Sequence, residues 1–276
     1  MTRKKPTVLT IAGSDSGGGA GIQVDLRTFH AFGVYGCSAV TAVTSQNPRE
    51  VRRVDVLPAE AVRTQIESVL DAFPVHFAKT GMLANAGIVR CTAELAETYH
   101  LRLVVDPVMV STSGAKLLEE TAISAMQELL LPRAEWITPN IPEAELLCGR
   151  KLSGTDDLAE AAQMLYRQYH CHVILKSGHA VNGGHVTDMV CYGGKLHTLS
   201  SPRADISGDT AHGTGCTLSA ALAAELAAGR NWQEALTGAK AFVYGSLCGS
   251  VRLSSELSQM YPPETLDSTL IKLEEL

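Results

Sequence analysis

From residue 7 to about residue 180, apolar runs of strand length alternate with stretches whose apolar positions recur every three to four residues. Thr7–Ala12 is the first run. Behind it, Ile22, Leu26 and Phe29 fall at i, i+4 and i+7, the stripe of a helix lying on a sheet. Further strands are predicted near Cys37–Thr44, at Val75–Lys79, at Leu101–Val105, around Glu135–Thr138 and at Cys171–Leu175. Helices are predicted between them over Ala59–Ala72, 86–99, near 119–130, Glu143–Leu147 and 157–169. Such alternation predicts an α/β fold with a mainly parallel sheet covered by helices on both faces and right-handed crossovers. Val186–Tyr192 and Leu196–Ser200 flank Gly193-Gly194 and read as a hairpin, and 216–228 and 233–248 read as helices. Residues 252–263 read as a linker ending in Pro262-Pro263, after which Leu266, Leu270 and Leu273 space a C-terminal amphipathic helix. No repeat or boundary divides the chain, so residues 1–276 are expected to form a single domain.

The polar and glycine features gather just past the predicted strand ends. The first strand runs into Gly13-Ser14-Asp15-Ser16-Gly17-Gly18-Gly19-Ala20-Gly21, and the second ends at Ser45-Gln46-Asn47. Thr80-Gly81-Met82, Asp106-Pro107-Val108-Met109, Asn140 and Lys176-Ser177-Gly178-His179 close the next four. In an open α/β sheet the ligand crevice lies outside the carboxyl ends of the strands, so a site is expected on that edge. Turn-forming needs explain the glycines but not Gln46, Asp106 or Lys176.

Composition narrows the chemistry. Aromatic residues make up 5% of the 276 residues against 45% hydrophobic overall, which predicts an aliphatic core. The net charge of -6 and the lack of a basic run beyond Arg3-Lys4-Lys5 argue against a nucleic-acid partner. Seven cysteines without CxxC spacing, most of them in apolar runs as Cys191 and Cys248 are, read as reduced core thiols of a cytoplasmic protein. The N-terminus lacks the apolar region of a signal peptide, and no apolar run is long enough for a membrane span. The nine histidines form no zinc pattern.

Two familiar nucleotide motifs fail. A dinucleotide fold wants an acidic residue closing the second strand, where Gln46 stands, and Gly194-Lys195 is followed by Leu196 rather than Ser or Thr. A stronger anion signal is Ala211-His212-Gly213-Thr214-Gly215-Cys216-Thr217 directly before an Ala-rich helix. There the glycines let successive N–H groups converge, and the helix adds unpaired donors and its dipole. An ordinary helix start is the alternative. Cys216 falls in the first turn of that helix, which is expected to lower its pKa and suit it to general-base work; a buried inert thiol is the other possibility. Asn140 and Glu143, three apart at a strand-to-helix junction, fit either a capping pair or a magnesium site. Lys176 ends an apolar strand, to hold phosphate or simply to solvate the strand.

Taken together, these segments resemble the hydroxymethylpyrimidine and phosphomethylpyrimidine kinases of thiamine biosynthesis, from about Leu9 to Gly249. The resemblance is carried by Ala12–Gln23, Tyr35-Gly36-Cys37, Gln46-Asn47, Lys79–Leu83, Asp106–Met109, Thr138-Pro139-Asn140 and His212–Ala221. It implies a three-layer ribokinase-like fold, usually dimeric, using ATP and Mg2+. Gly13, Asp25, Gln46, Met82 and Val108 would surround the pyrimidine, with Asp25 close to its hydroxymethyl end. Asp106, Asn140 and Lys176 would serve ATP, and Glu143 the metal. Gly213, Thr214 and Gly215 would form the anion hole beside Cys216, which stands where sugar-kinase relatives carry an aspartate base. Ser177, where a glycine is common, and Asp209 are small departures. Pyridoxal or pyridoxine kinase is the nearest alternative activity, and no fused thiamine-phosphate synthase domain is expected.

Overall fold

The computed structural model describes residues 4–109, 118–177, 181–182, 184–206 and 211–276. The sheet is assembled from β1 (Thr7–Asp15), β2 (Tyr35–Asn47), β3 (Glu50–Val56), β4 (Phe77–Thr80), β5 (Arg102–Val105), β6 (Ala134–Ile137), β7 (His172–Leu175), β8 (Val181–Asn182), β9 (His185–Tyr192), β10 (Lys195–Pro202) and β13 (Lys272–Glu275). Among the described residues these strands run β13-β10-β9-β7-β6-β5-β4-β1-β2-β3, with β8 paired to β9. From β2 through β1, β4, β5 and β6 to β7 every neighbour is parallel, while β3, β9, β10 and β13 add antiparallel margins.

The pleat sorts side chains into two cores. Leu103 and Val105 of β5 point to one face and Val104 to the other; Ile137 and Trp136 of β6 divide the same way. One core holds Ile66 of α2 (Ala59–Leu70), Ile88 of α3 (Ala86–Thr98), Ala144 of α5 (Ile141–Cys148) and Leu165 of α6 (Gly154–Tyr169). It also takes Ile123 of α4 (Glu120–Ala125), whose chain continues through a π-helical and a 3-10 turn to Arg133. The other core holds Phe29 of α1 (Gly21–Ala31), Leu222 of α7 (Thr214–Ala227) and Leu236 of α8 (Trp232–Cys248). The result is the predicted three-layer α/β/α architecture. Helix α7 is buried nearly all round, against the sheet, α1 and α8, so small alanines suit it better than one apolar stripe.

Four readings of the sequence are corrected. The C-terminal helix is absent: Leu273 belongs to strand β13, paired opposite Leu199 on the free edge of β10, while Leu266 and Leu270 are exposed. Open edge hydrogen bonds and burial of Ile271 outweigh the three-to-four spacing of the leucines. The supposed linker contains a small ribbon, β11 (Val251–Arg252) against β12 (Ser258–Gln259). Strand β3 was not foreseen, because its residues are all exposed and its valines are interrupted by charged residues; it pairs with β2, which extends to Asn47 and so includes Gln46. Cys191 is buried as read from the sequence, whereas Cys248 is exposed. The Gly193-Gly194 hairpin forms as predicted.

Candidate active site

At the carboxyl ends of the parallel strands lies a cavity of about 340 Å3. The β1 end, the β2–β3 hairpin, the segments after β4, β5, β6 and β7, and the N-terminus of α7 all contribute to it. Every residue to which the resemblance gave a role in the site lines it except Asp25. Gly13, Gln46, Met82 and Val108 meet there with Asp106, Asn140, Glu143, Lys176, Gly213, Thr214, Gly215 and Cys216. Gly178 and His179, like Asp209, lie outside the described residues.

Gly13 sits at an irregularity in the β1–β2 pairing. A Cβ there would come within 2.8 Å of the Met82 side chain, so a larger residue would displace one cavity wall. The Thr41 hydroxyl holds the Met82 carbonyl at 2.6 Å and fixes that wall from behind.

The glycine loop after β1 is organised by Asp15. Its carboxylate accepts the N–H groups of Gly17 at 2.8 Å, Gly19 at 3.1 Å and Ala20 at 2.9 Å. Burial alone would raise the Asp15 pKa, but His212 and these donors hold it below the usual carboxylate range. His212 Nε2 lies 3.5 Å from Asp15 and 3.3 Å from the Gln46 amide nitrogen, linking the loop, β2 and the anion segment. Gly213 completes the junction with φ of 88°, and a Cβ on it would run into the Gly19 carbonyl. The chain can therefore turn sharply into α7 and bring Thr214, Gly215 and Cys216 to the cavity.

Asp25 lies behind the cavity rather than in it. Its carboxylate accepts both oxygens' worth of Lys79 Nζ, at 2.9 and 3.0 Å, and the Thr10 hydroxyl at 2.6 Å, with both charged side chains fully buried. Lys79, not Asp25, reaches the cavity wall. Burial alone would pull the ammonium down, but Asp25 outweighs it, with help from Asp106, and Lys79 is held above its ordinary value. Sequence inspection missed this role. Its one signal was a lysine in the otherwise apolar Phe77–Thr80 strand.

Cys216 corrects an expectation. Burial pushes its thiol above the ordinary value, and the Lys79 charge opposes only part of that, so the free protein keeps the proton on sulfur.

The other end of the cavity is ionic. Lys176 Nζ donates to Asp106 at 2.8 Å, and the Thr138 hydroxyl to the same oxygen at 3.2 Å. Asn140 and Glu143 form a complete capping box on α5: each side chain accepts the other's backbone N–H at 2.9 Å. Glu143 is 2% exposed; burial, with Asp106 nearby, pushes it up to about 7 against the pull of Lys176. A buried carboxylate short of positive charge, beside a second one, fits a hard cation that also takes oxygens from water and phosphate. Among the described residues no cluster of three or more His, Cys, Asp or Glu forms a self-contained metal cage.

Fold and cavity together define a kinase of the ribokinase-like class. The profile of the phosphomethylpyrimidine kinase family matches residues 15–260, and the chain belongs to that family. It is 46% identical to the hydroxymethylpyrimidine/phosphomethylpyrimidine kinase of Haemophilus influenzae over 244 residues, 87% of this chain and 90% of that one. Among solved structures it resembles the pyridoxal kinase of Staphylococcus aureus in complex with AMP-PCP, with TM-score 0.87 and 33% identity over 99% of this chain and 100% of that one. It also resembles the phosphomethylpyrimidine kinase of Clostridium difficile, with TM-score 0.76 and 37% identity over 87% and 98%.

Proposed function

We propose that the protein phosphorylates 4-amino-5-hydroxymethyl-2-methylpyrimidine with ATP, and then its monophosphate, giving the pyrophosphate for thiamine biosynthesis. The observation that carries this reading is the meeting in one cavity of a ring-reading amide, Gln46, with the α7 N-terminus and Cys216. Gln46 offers the ring both donor and acceptor, while Gly13, Met82 and Val108 enclose it. Val51 and Val54 of β3 also line the cavity and add an apolar wall.

The ATP phosphates lie toward Lys176, Asn140 and Asp106. Glu143, with Asp106 alongside, would hold Mg2+, which would supply positive charge against the phosphates. The amides of Gly213, Thr214 and Gly215 take the charge that develops on the transferring group. In its thiolate form, which the Lys79 charge favours, Cys216 accepts the hydroxyl proton as oxygen attacks phosphorus and becomes the neutral thiol. Asp25 is a positioning residue that keeps Lys79 charged and in place. Most of the acceleration comes from alignment and electrostatics, as a loose phosphoryl transition state requires.

The working unit is a homodimer in this reading. Val51, Val54 and Val56 leave one face of β3 apolar and exposed, each 39% exposed or more. Buried free thiols at Cys37, Cys91, Cys171 and Cys191 accord with a cytoplasmic location, and the net charge of -6 accords with the absence of a nucleic-acid partner. No helix among the described residues is long and apolar enough to cross a membrane.

The likeness to a pyridoxal kinase favours one alternative, the same chemistry on a pyridine ring. Steady-state kcat/KM on the pyrimidine alcohol and on pyridoxal separates the two. The proposal expects the pyrimidine to win by about tenfold or more, the worth of one hydrogen bond to a buried polar group; pyridoxal equal or better would overturn it. Gln46→Ala is expected to raise KM for the pyrimidine about tenfold, and an unchanged KM would remove Gln46 from ring recognition.

A further inference from the structure

Beside the glycine loop, a second cleft of about 180 Å3 opens between α1, the C-terminal half of α8 and the β11–β12 ribbon. Two polar atoms of residues that line it are buried without a hydrogen-bond partner: Ser246 Oγ of α8, in a residue 2% exposed, and Gln259 Nε2 of β12. Buried polar atoms are nearly always paired, so two orphans in residues that line one cleft call for a partner there. The Gln259 nitrogen can only donate, and the Ser246 hydroxyl can donate as well. Arg27 is the one charged residue among the described lining, and no carboxylate faces the space. The guanidinium donates to the Gly18 and Gln23 carbonyls, which anchors it at the rim. Asp15, the acid nearest the loop, is engaged by the loop's own N–H groups. Val24, Phe242, Val251 and Leu253 supply an apolar wall.

We propose that this cleft is a second ligand site, which takes a small organic carboxylate with an apolar body. The carboxylate accepts from Ser246, Gln259 and Arg27, and the body lies on Val24 and Phe242. The site does not depend on the kinase reading, although it adjoins the same machinery: Gly17–Gly19 form one wall, and Thr217, which follows Cys216, another.

Benzoate is the probe. Ligand-observed NMR titration of the full chain, with AMP-PCP present to occupy the main cavity, is expected to give saturable binding. Benzyl alcohol, with the same ring and no charge, is expected to bind at least about tenfold more weakly. Gln259→Leu and Ser246→Leu are each expected to weaken benzoate at least about tenfold. Gln259 is half-buried on a short ribbon, so its variant keeps the test available if Ser246→Leu fails to fold. Absence of saturable benzoate binding to the parent protein would overturn the proposal. So would Gln259→Leu binding benzoate as tightly as the parent, or benzyl alcohol matching benzoate.

Discussion

Lys79 and Asp25 illustrate how much of the site depends on charges buried together. With both side chains fully enclosed and 2.9 Å apart, neither charge has water to fall back on. Lys79→Met is expected to cost about 3–5 kcal/mol in chemical denaturation, the penalty for stranding the Asp25 charge. Adding Asp25→Leu should recover much of that loss without restoring turnover. The pair was hidden in the sequence because its members are 54 positions apart, and they meet only because α1, which carries Asp25, packs on β1, the parallel neighbour of β4. Asp25 was singled out by resemblance for the substrate, yet its place is one layer behind. Cys216 was legible by position but not by pKa. A helix start favours thiolate, whereas burial dominates here and pushes the thiol up. The sign follows directly: thiolate is scarce at neutral pH and grows as pH rises toward the elevated pKa. The rate kcat/KM is therefore expected to go on climbing into the alkaline range, and Cys216→Asp, the stronger acid, to move that climb to lower pH. Cys216→Ala is expected to lower kcat about a hundredfold; wild-type turnover in that variant would remove Cys216 as the base.

At the scale of elements, the alternation of strands and helices was readable because each strand buries residues on both faces and each covering helix buries one stripe. Helix α7 was readable for a different reason, its glycine start and alanine body. What escaped were elements stabilised by edges rather than by burial. Strand β3 is wholly exposed, and β13 completes the margin of β10. The three-to-four leucine spacing at the C-terminus matched a helix, but a sheet edge nearby offered hydrogen bonds that spacing cannot reveal. The Asn140–Glu143 pair carried both meanings at once. It caps α5 and also faces the cavity, so capping and function were never alternatives. Gly213 sets the junction between the loop and α7. Gly213→Ala is expected to cost about 1–2 kcal/mol for the left-handed conformation, before the contact with the Gly19 carbonyl is counted. By displacing the anion-hole amides it should also lower kcat by about a hundredfold, measured beside thermal unfolding to separate the two effects.

At the scale of the whole molecule, six parallel strands deliver their tips to one crevice, and the two cores on either side keep those tips in register. The carboxyl-edge site was therefore legible from the sequence before any pairing was known, since every tip carried its own polar signature. The exposed valines of the β2–β3 edge were not, because an interface pattern looks like any other surface until the strand is located. Val54→Asp is expected to convert a dimer to a monomer in sedimentation velocity; an unchanged sedimentation coefficient would place the interface elsewhere. The central claim is that alcohol, phosphate donor and Cys216 meet in that crevice. It is tested most directly by mass spectrometry of the products after incubation with MgATP and the hydroxymethylpyrimidine. The account predicts masses for one and then two added phosphoryl groups, with ADP formed in step. ATP left intact, or ADP formed with the alcohol unmodified, would contradict it.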